Sequence, residues 1–195
     1  MSGLEEDRVK LDAVVVGGGP AGLMAGLKLA EAGAEVAVIE RGVHPGSKNV
    51  SGLLYGGFLD KVIPRFWERA PLERPVTRRS LFYIGPEGEL GMIMGPAHWQ
   101  KPPYNRTYVV FRSKFDRWLA GEFEKAGGSL IDSAVVESLV IEGHGEEKRV
   151  KGVNIRNDEP FFADIVILAD GAAGVVSAKA CLLYTSDAAD EGLGV

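Results

Sequence analysis

The chain has 195 residues, of which 46% are hydrophobic and 25% are charged, as in an ordinary soluble globular protein. Its formal net charge of −5 argues against nucleic-acid binding, and the absence of a run of about 18 apolar residues argues against a transmembrane helix. The amino terminus lacks the pattern of a secretory signal, so we expect a cytoplasmic protein. The single cysteine, Cys181, excludes an internal disulfide, and cysteines and histidines show no metal-ligand spacing.

The first 40 residues predict a strand, a helix and a second strand. Residues 11–16 are apolar and β-branched, which indicates a buried strand. Pro20 is typical of a first helical turn, and Gly33 of a helix end. Residues 35–40 (EVAVIE) predict the second strand. A βαβ unit of this kind implies a parallel sheet with right-handed crossovers, and therefore an α/β fold.

The rest of the chain predicts one long helix and several strands. Residues 41–57 are rich in glycine and are expected to form a loop. Ser113 is expected to cap a helix that runs to about Ala126. The remaining expected elements are a short helix in 58–68 interrupted by Pro64, strands within 81–94 around the turn 85–88, strands at 108–112, 129–131 and 163–169, and a β-hairpin of 135–141 and 149–155.

The stretch VVVGGGPAG places a G-x-G-x-x-G motif where the first strand meets the helix. Its first glycine permits a tight turn, its second lets the backbone approach a pyrophosphate, and its third lets helix and strand pack closely. Glu40 ends the second strand, where a carboxylate can accept hydrogen bonds from a ribose 2′-OH. The alternative, a glycine turn that only packs one helix, gives Glu40 no role. The expected cofactor-binding residues of the motif are Gly17, Gly19, Pro20, Ala21 and Gly22.

An acidic residue at position 40 favours NAD or FAD over NADP. Two later stretches, VVFRSKFDRWLAGEFEKAGG and ILADGAAG, resemble FAD-dependent proteins of the glutathione-reductase-like superfamily. The resemblance implies that Arg112 lies against the cofactor, that Asp170 and Gly171 meet its ribityl-phosphate region, and that Val136 meets the adenine through its backbone. The alternatives are a capping or surface arginine at 112 and an ordinary β-turn at 170–171.

The segment 40–84 is similar to the FixC-type members of the electron-transfer-flavoprotein:quinone oxidoreductase family. They share ERG…G-x-K-N…G-x-x-Y followed by L…IP-x-F…APLERPVTR, and the resemblance extends over residues 11–180. It implies an FAD enzyme that passes electrons from a soluble electron-transfer flavoprotein to quinone or a ferredoxin-like partner. It also places Arg41 of the ERG stretch at the cofactor, and Lys48 and Asn49 near the polar edge of the flavin. The alternative for Lys48 and Asn49 is a solvated turn.

We expect no catalytic side chain and no metal ligand, because the flavin ring carries the redox chemistry and the protein binds and orients it. Two other functions remain open. One is a geranylgeranyl-reductase-like flavoprotein, which shares the domain but reduces lipid double bonds; the other is a non-catalytic dinucleotide-binding module. The Lys48–Asn49 pair and the stretch APLERPVTR (70–79) favour the FixC-type function.

Residues 181–195 do not continue the resemblance. CLLYTSDAADE, residues 181–191, is the translation of a transposon-derived adapter used in DNA sequencing, so we expect 181–195 to be adapter read-through. Without it the chain has no cysteine and has 22 basic and 24 acidic residues, a net charge of −2.

The expected organisation is therefore a carboxy-terminally truncated, Rossmann-like FAD-binding domain of the glutathione-reductase type over residues 1–180. It has a parallel sheet, a β-hairpin or meander addition, and the start of a second small domain, with residues 80–105 in an inserted substrate-side region. The resemblance implies a longer protein, with an iron–sulfur cluster in larger relatives and a peripheral place on the inner membrane as an alternative to the cytoplasm. Weak or absent flavin retention is expected of a chain that has only half of the cofactor pocket.

Overall fold

The structure, a computed structural model, describes residues 10–97, 101–102, 105–144 and 147–180. The chain divides into two compact units. The first takes its described residues from 10–48 and 116–180, and the second from 49–115. The expected adapter read-through, 181–195, lies outside the described residues.

The described residues contain the following elements. The helices are α1 (Pro20–Glu31), α2 (Gly56–Leu59), α3 (Arg112–Lys125) and α4 (Val175–Lys179), with a 3₁₀ turn at Phe66–Glu68. The strands are β1 (Lys10–Val16), β2 (Val36–Ile39), β3 (Ser51–Tyr55), β4 (Arg74–Pro75), β5 (Arg79–Ile84), β6 (Glu89–Met94), β7 (Thr107–Phe111), β8 (Ser129–Ile131), β9 (Val136–Glu142), β10 (Arg149–Ile155) and β11 (Phe161–Leu168).

A six-stranded sheet in the order β8-β2-β1-β11-β10-β9 organises the first unit. Its first four strands are parallel, and β10 and β9 continue it as an antiparallel hairpin. Val16 lies level with Ile39 of β2 and with Leu168 of β11, so three neighbouring strands end at one edge of the sheet. The predicted α/β fold with a parallel sheet and a hairpin addition is confirmed.

Both faces of β2 and of the last four residues of β1 are buried, as expected where a sheet is covered on both sides. Because side chains alternate along a strand, Val14, Val16 and Ile39 join one core cluster while Val15 and Val38 face away from it. That cluster also takes in Val153, Ile155, Ala163 and Val176. Residues of β10 and of α4 therefore complete the core on this face of the sheet.

Helix α1 packs against β2 at a glycine. A Cβ on Gly26 would lie 2.7 Å from Val38 Cγ2 and 3.0 Å from Phe123 Cε2. Phe123, in the part of α3 that belongs to the first unit, is fully buried. Gly26 thus allows α1, β2 and α3 to approach more closely than a side chain would permit.

The second unit holds a three-stranded sheet, β3-β7-β4, and a separate two-stranded hairpin of β5 and β6. Phe66 is its largest fully buried side chain and meets Trp67 and Tyr108 edge-on. The β5–β6 hairpin differs, because eight large apolar side chains on it are exposed. They are Leu81, Phe82, Tyr83, Ile84, Leu90, Met92, Ile93 and Met94.

Two local predictions are wrong. The loop expected at 41–57 contains β3, which pairs with β7 along all five residues. Gly52, the second residue of β3, weakens the strand pattern in the sequence, and the strand forms through its tertiary pairing with β7. Ser113 does not cap α3, because the helix begins one residue earlier, at Arg112. Strand β7 ends at Phe111 and runs directly into the helix, so the N-cap position is taken by Phe111, whose side chain has no acceptor for a capping hydrogen bond.

Candidate functional site

The first unit brings three predicted site residues to one edge of its sheet. Gly17 follows β1, Glu40 follows β2, and Asp170 comes two residues after β11. Since β1 lies between β2 and β11, all three stand at the carboxyl ends of adjacent parallel strands. In open α/β sheets this edge is where ligands bind.

Gly17 and Gly22 are required by close backbone packing. Gly17 has φ +108°, and a Cβ there would overlap the carbonyl of Ala169. Its N–H donates to the carbonyl of Ile39 at 2.8 Å, which joins the β1 turn to β2. A Cβ on Gly22 would overlap the carbonyl of Gly17. These two glycines therefore shape the turn from strand to helix.

Gly19 differs from them, because open space lies beside it. A Cβ added there would have nothing within 4 Å, and the residue is the N-cap of α1 with φ −77°. No side chain caps the helix, which begins with Pro20, and Ala21 is exposed. An uncapped helix start with the positive end of its dipole beside open space suits the diphosphate of a dinucleotide.

Glu40 reaches back to the glycine motif. Its Oε2 accepts a hydrogen bond from the Gly18 N–H at 2.9 Å, and its Oε1 accepts one from the Gly42 N–H at 2.6 Å. A Cβ on Gly18 would lie 2.8 Å from Glu40 Cβ, so the approach depends on glycine at position 18 as well. The carboxylate is thereby held next to the turn that precedes α1. Such a position fits the hydroxyls of an adenosine ribose.

Asp170 has partners on α4. Its Oδ2 accepts hydrogen bonds from the N–H groups of Val176 at 2.8 Å and Ser177 at 3.1 Å, and its Oδ1 accepts one from the Ser177 hydroxyl at 2.7 Å. Burial alone raises the pKa of Asp170, but the hydrogen bonds from Ser177 and Val176 outweigh it, so the pKa lies below its usual value. Next to it, Gly171 has φ +79° with open space around it, which a ligand can approach.

The other predicted residues divide between the units. Val136 begins β9 in the first unit and packs on the core cluster, while Arg41 and Lys48 are exposed. Asn49 and Arg112 belong to the second unit. There, the Arg112 N–H donates to the carbonyl of Val50 at 3.3 Å, and the arginine is half-buried. Their roles toward a cofactor stay predictions.

Sequence reasoning missed the residues that hold the two acids. Gly18 and Gly42 donate to Glu40, and Val176 and Ser177 donate to Asp170. Gly18 is the variable position of G-x-G-x-x-G, and Gly42 is the glycine of ERG, so both stood in motifs that were interpreted for other residues. Helix α4 gave no signal, since five residues are too few for a periodic pattern.

The sequence is similar to a family of flavoproteins and to several proteins of known name. Residues 12–97 match the family described as FAD dependent oxidoreductase. The chain is 36% identical to Protein FixC of Bradyrhizobium diazoefficiens over 175 residues, which are 89% of this chain and 39% of that protein. It is 38% identical to the probable electron transfer flavoprotein-quinone oxidoreductase YdiS of Escherichia coli, over 95% of this chain and 42% of YdiS. The FixC-type resemblance is confirmed.

A solved structure supports the same fold. The geranylgeranyl bacteriochlorophyll reductase-like protein of Thermoplasma acidophilum is 28% identical, with a TM-score of 0.69 over 89% of this chain and 42% of that one. The halogenase CndH, described as FAD-dependent, is 24% identical with a TM-score of 0.64 over 82% of this chain and 37% of its own, and shows the fold alone. The match to the family described as FAD dependent oxidoreductase confirms the predictions of FAD as the cofactor and of an oxidoreductase.

The FixC-type relatives are much longer than the chain, which spans about two-fifths of their length. No helix among the residues that the structure describes is both long and apolar enough to cross a bilayer. Likewise, the described ranges hold no group of three or more histidine, cysteine or acidic residues that could bind a metal ion.

Proposed function

We propose that this chain is the FAD-binding portion of a FixC-type flavoprotein that takes electrons from an electron-transfer flavoprotein and passes them to quinone or a ferredoxin-like protein. The observation that carries the proposal is the Glu40 carboxylate, held by the Gly18 N–H beside the open space at Gly19. One turn thus offers an acceptor for ribose hydroxyls and an uncapped helix start for the diphosphate.

The residues of the chain bind and orient the cofactor, and FAD supplies the redox chemistry when it is bound. Gly19 lets the diphosphate approach the start of α1, where Pro20 and Ala21 form the first turn. Glu40 accepts hydrogen bonds from the ribose, and the backbone at Val136 meets the adenine. This division assigns the adenosine diphosphate half of FAD to the first unit.

The flavin half is assigned to the remaining predicted residues. Asp170 and Gly171 meet the ribityl-phosphate region, and the exposed side chains of Arg41, Lys48 and Asn49 serve the polar parts of the flavin. These assignments follow the resemblance to FixC-type proteins. The role of Asp170 has further support, because its carboxylate is held by a hydrogen bond from Ser177 of α4. An acceptor that is already oriented binds a hydroxyl without a further loss of side-chain freedom.

An equilibrium titration tests the cofactor assignment. The 195-residue protein is titrated by calorimetry with FAD, ADP, FMN and NAD⁺. We expect FAD to bind at least as tightly as ADP, and FMN to bind much more weakly, since FMN lacks the adenosine. Binding of FMN but not ADP would contradict the assignment. Tight binding of NAD⁺ without FAD would instead favour a dinucleotide-binding module.

The electron donor is tested separately. The protein, saturated with FAD, is mixed without oxygen with reduced electron-transfer flavoprotein, and the absorbance of both flavins is followed. We expect electrons to reach the bound FAD, and a Gly19→Ala variant prepared in the same way to accept them in proportion to the FAD it holds. Rapid reduction by NADH with none by the flavoprotein would contradict the proposed donor.

A second function is favoured by the Thermoplasma acidophilum structure, whose name describes a geranylgeranyl bacteriochlorophyll reductase-like protein. Under this alternative, the bound FAD reduces an isoprenoid double bond. The two functions separate in one assay, in which chemically reduced protein is offered an isoprenoid lipid or a soluble quinone. Oxidation of the flavin by the lipid would support the reductase, and oxidation by the quinone alone would support the FixC-type function.

A further inference from the structure

Both carboxylate oxygens of Glu40 are held by backbone amides from different loops. Gly18 donates to Oε2 at 2.9 Å and Gly42 donates to Oε1 at 2.6 Å. Two hydrogen bonds to two different oxygens fix the rotation of the carboxylate about its last side-chain bond. A carboxylate has about four acceptor sites, so each oxygen keeps one for a ligand.

The space beside Gly42 is narrow. It is buried, and a Cβ there would overlap the hydroxyl of Ser47 and would lie 3.0 Å from Glu40 Oε1 and 3.3 Å from the carbonyl of His44. Its φ is outside the left-handed region, so glycine is needed for space rather than for backbone conformation. A methyl group at this position would therefore press on the Ser47 hydroxyl and on the Glu40 carboxylate that the amide holds.

The backbone around Gly42 is also tied down on its other side. The Gly42 carbonyl accepts a hydrogen bond from the Ser133 N–H at 2.9 Å, and the Glu40 carbonyl accepts one from the Ala134 N–H at 3.0 Å. Both donors lie in the connection between β8 and β9. Since these bonds fix the peptide groups on either side, they fix the direction in which the Gly42 N–H points.

We propose that Gly42 is a positioning residue for the adenosine ribose: its amide aims the Glu40 carboxylate so that the free acceptor sites take the ribose hydroxyls. The inference rests on the proposed FAD site and adds a residue to it. It separates Gly42 from Gly17 and Gly22, where an added Cβ would overlap a backbone carbonyl, that of Ala169 and that of Gly17 respectively.

The test uses ADP and 2′-deoxy-ADP, which differ only in the hydroxyl that Glu40 is proposed to bind. Calorimetry on the 195-residue wild type is expected to show a preference for ADP. In Gly42→Ala the affinity for ADP is expected to fall about tenfold, which is typical for the loss of a hydrogen bond to a charged group, and the preference is expected to vanish. In a Glu40→Ala background, adding Gly42→Ala is expected to change neither affinity.

Two control variants isolate the mechanism. Gly121→Ala, at a glycine of α3 with nothing within 4 Å, is expected to leave both affinities unchanged. Ser47→Ala combined with Gly42→Ala removes the hydroxyl that the new methyl group would overlap, and is expected to restore part of the affinity for ADP.

The outcomes separate the inference from the function on which it rests. If the wild type binds neither ADP nor FAD, the proposed function fails and the inference fails with it. If the wild type prefers ADP and Gly42→Ala keeps that preference, only the inference fails. Amide hydrogen exchange gives a readout without any ligand: Glu40→Ala is expected to speed exchange at Gly42 at least about tenfold. An unchanged rate at Gly42 would also overturn the inference.

Discussion

Asp170 and Ser177 are joined by two hydrogen bonds, from the serine hydroxyl at 2.7 Å and from its backbone N–H at 3.1 Å. The aspartate of the predicted cofactor turn therefore also holds the first turn of α4. This second task places α4 beneath the sheet, where Val176 joins the core cluster. A residue proposed to bind the cofactor thus contributes to folding as well.

The lowered pKa of Asp170 makes its contribution to stability depend on pH. A depressed pKa in the folded state favours the ionised form, so the contribution is complete above the unfolded value and is lost as pH falls through the folded pKa. We expect the unfolding free energy of the wild type to fall more steeply than that of Asp170→Asn between about pH 5 and pH 2. Urea denaturation at each pH measures both slopes, and parallel slopes would contradict this role.

Ser177→Ala removes one of the three hydrogen bonds to the carboxylate and leaves the backbone donors in place. We expect a loss of about 1 kcal/mol in the unfolding free energy at pH 7, the usual effect of losing a helix-end hydrogen bond. Val175→Ala is a matched control, because that side chain is half-exposed on the same helix. An equal loss in both variants would show that the helix, rather than the hydroxyl, is responsible.

Gly17→Ala is expected to lower stability, whereas Gly19→Ala is expected to lower the affinity for FAD. At Gly17 the methyl group overlaps the Ala169 carbonyl and the backbone has φ +108°, so the unfolding free energy is expected to fall by about 1–3 kcal/mol. At Gly19 nothing lies within 4 Å, so stability is expected to change by less than about 0.5 kcal/mol. Affinity for FAD is nevertheless expected to fall at least about tenfold, because the methyl group occupies the proposed diphosphate position. Thermal unfolding measures the change in stability, and calorimetry measures the change in affinity. A loss of stability in Gly19→Ala would contradict the open space found beside Gly19.

Gly26→Ala is expected to destabilise the first unit by overpacking. Its methyl group would press on Val38 and Phe123, which costs about 1–3 kcal/mol in a packed core. Gly26→Ala combined with Val38→Ala is expected to be more stable than the sum of the two single changes predicts, because the smaller side chain makes room. Chemical denaturation of all four proteins gives the coupling, and strict additivity would show that the helix and strand do not meet there.

In the second unit, substitutions in the exposed β5–β6 hairpin and at the buried Phe66 are expected to have very different effects on the unfolding free energy. Ile84→Lys, at a side chain 80% exposed, is expected to change the unfolding free energy by less than about 0.5 kcal/mol and to lower the binding of an apolar dye. Phe66→Ala, at a side chain that is fully buried, is expected to cost about 3–5 kcal/mol. A large loss in Ile84→Lys would mean that this side chain is covered in solution.

The sequence predicted the features whose signals are local. Val14, Val15 and the other residues of β1, with the glycines after them, are adjacent in sequence, and the βαβ unit follows from them directly. Strand β3 was missed because Gly52 breaks its pattern and its partner β7 is more than 50 residues away. The hydrogen bond from the Gly42 N–H to Glu40 depends on the direction in which a backbone N–H points, and the residue types alone do not specify that direction.

The pairing of β1 with β11 has a consequence for how the protein forms. Leu11 lies beside Ala163, so the central strand meets one of its two neighbours only across about 150 residues of chain. During synthesis, β1 and β2 can pair early, but the other edge of β1 stays open until β11 has left the ribosome. β11 is thus made after the other five strands of the sheet, and Asp170 and α4 follow it. We expect the order of translation to make closure of the sheet and formation of the ligand edge a single event, which follows synthesis of β11.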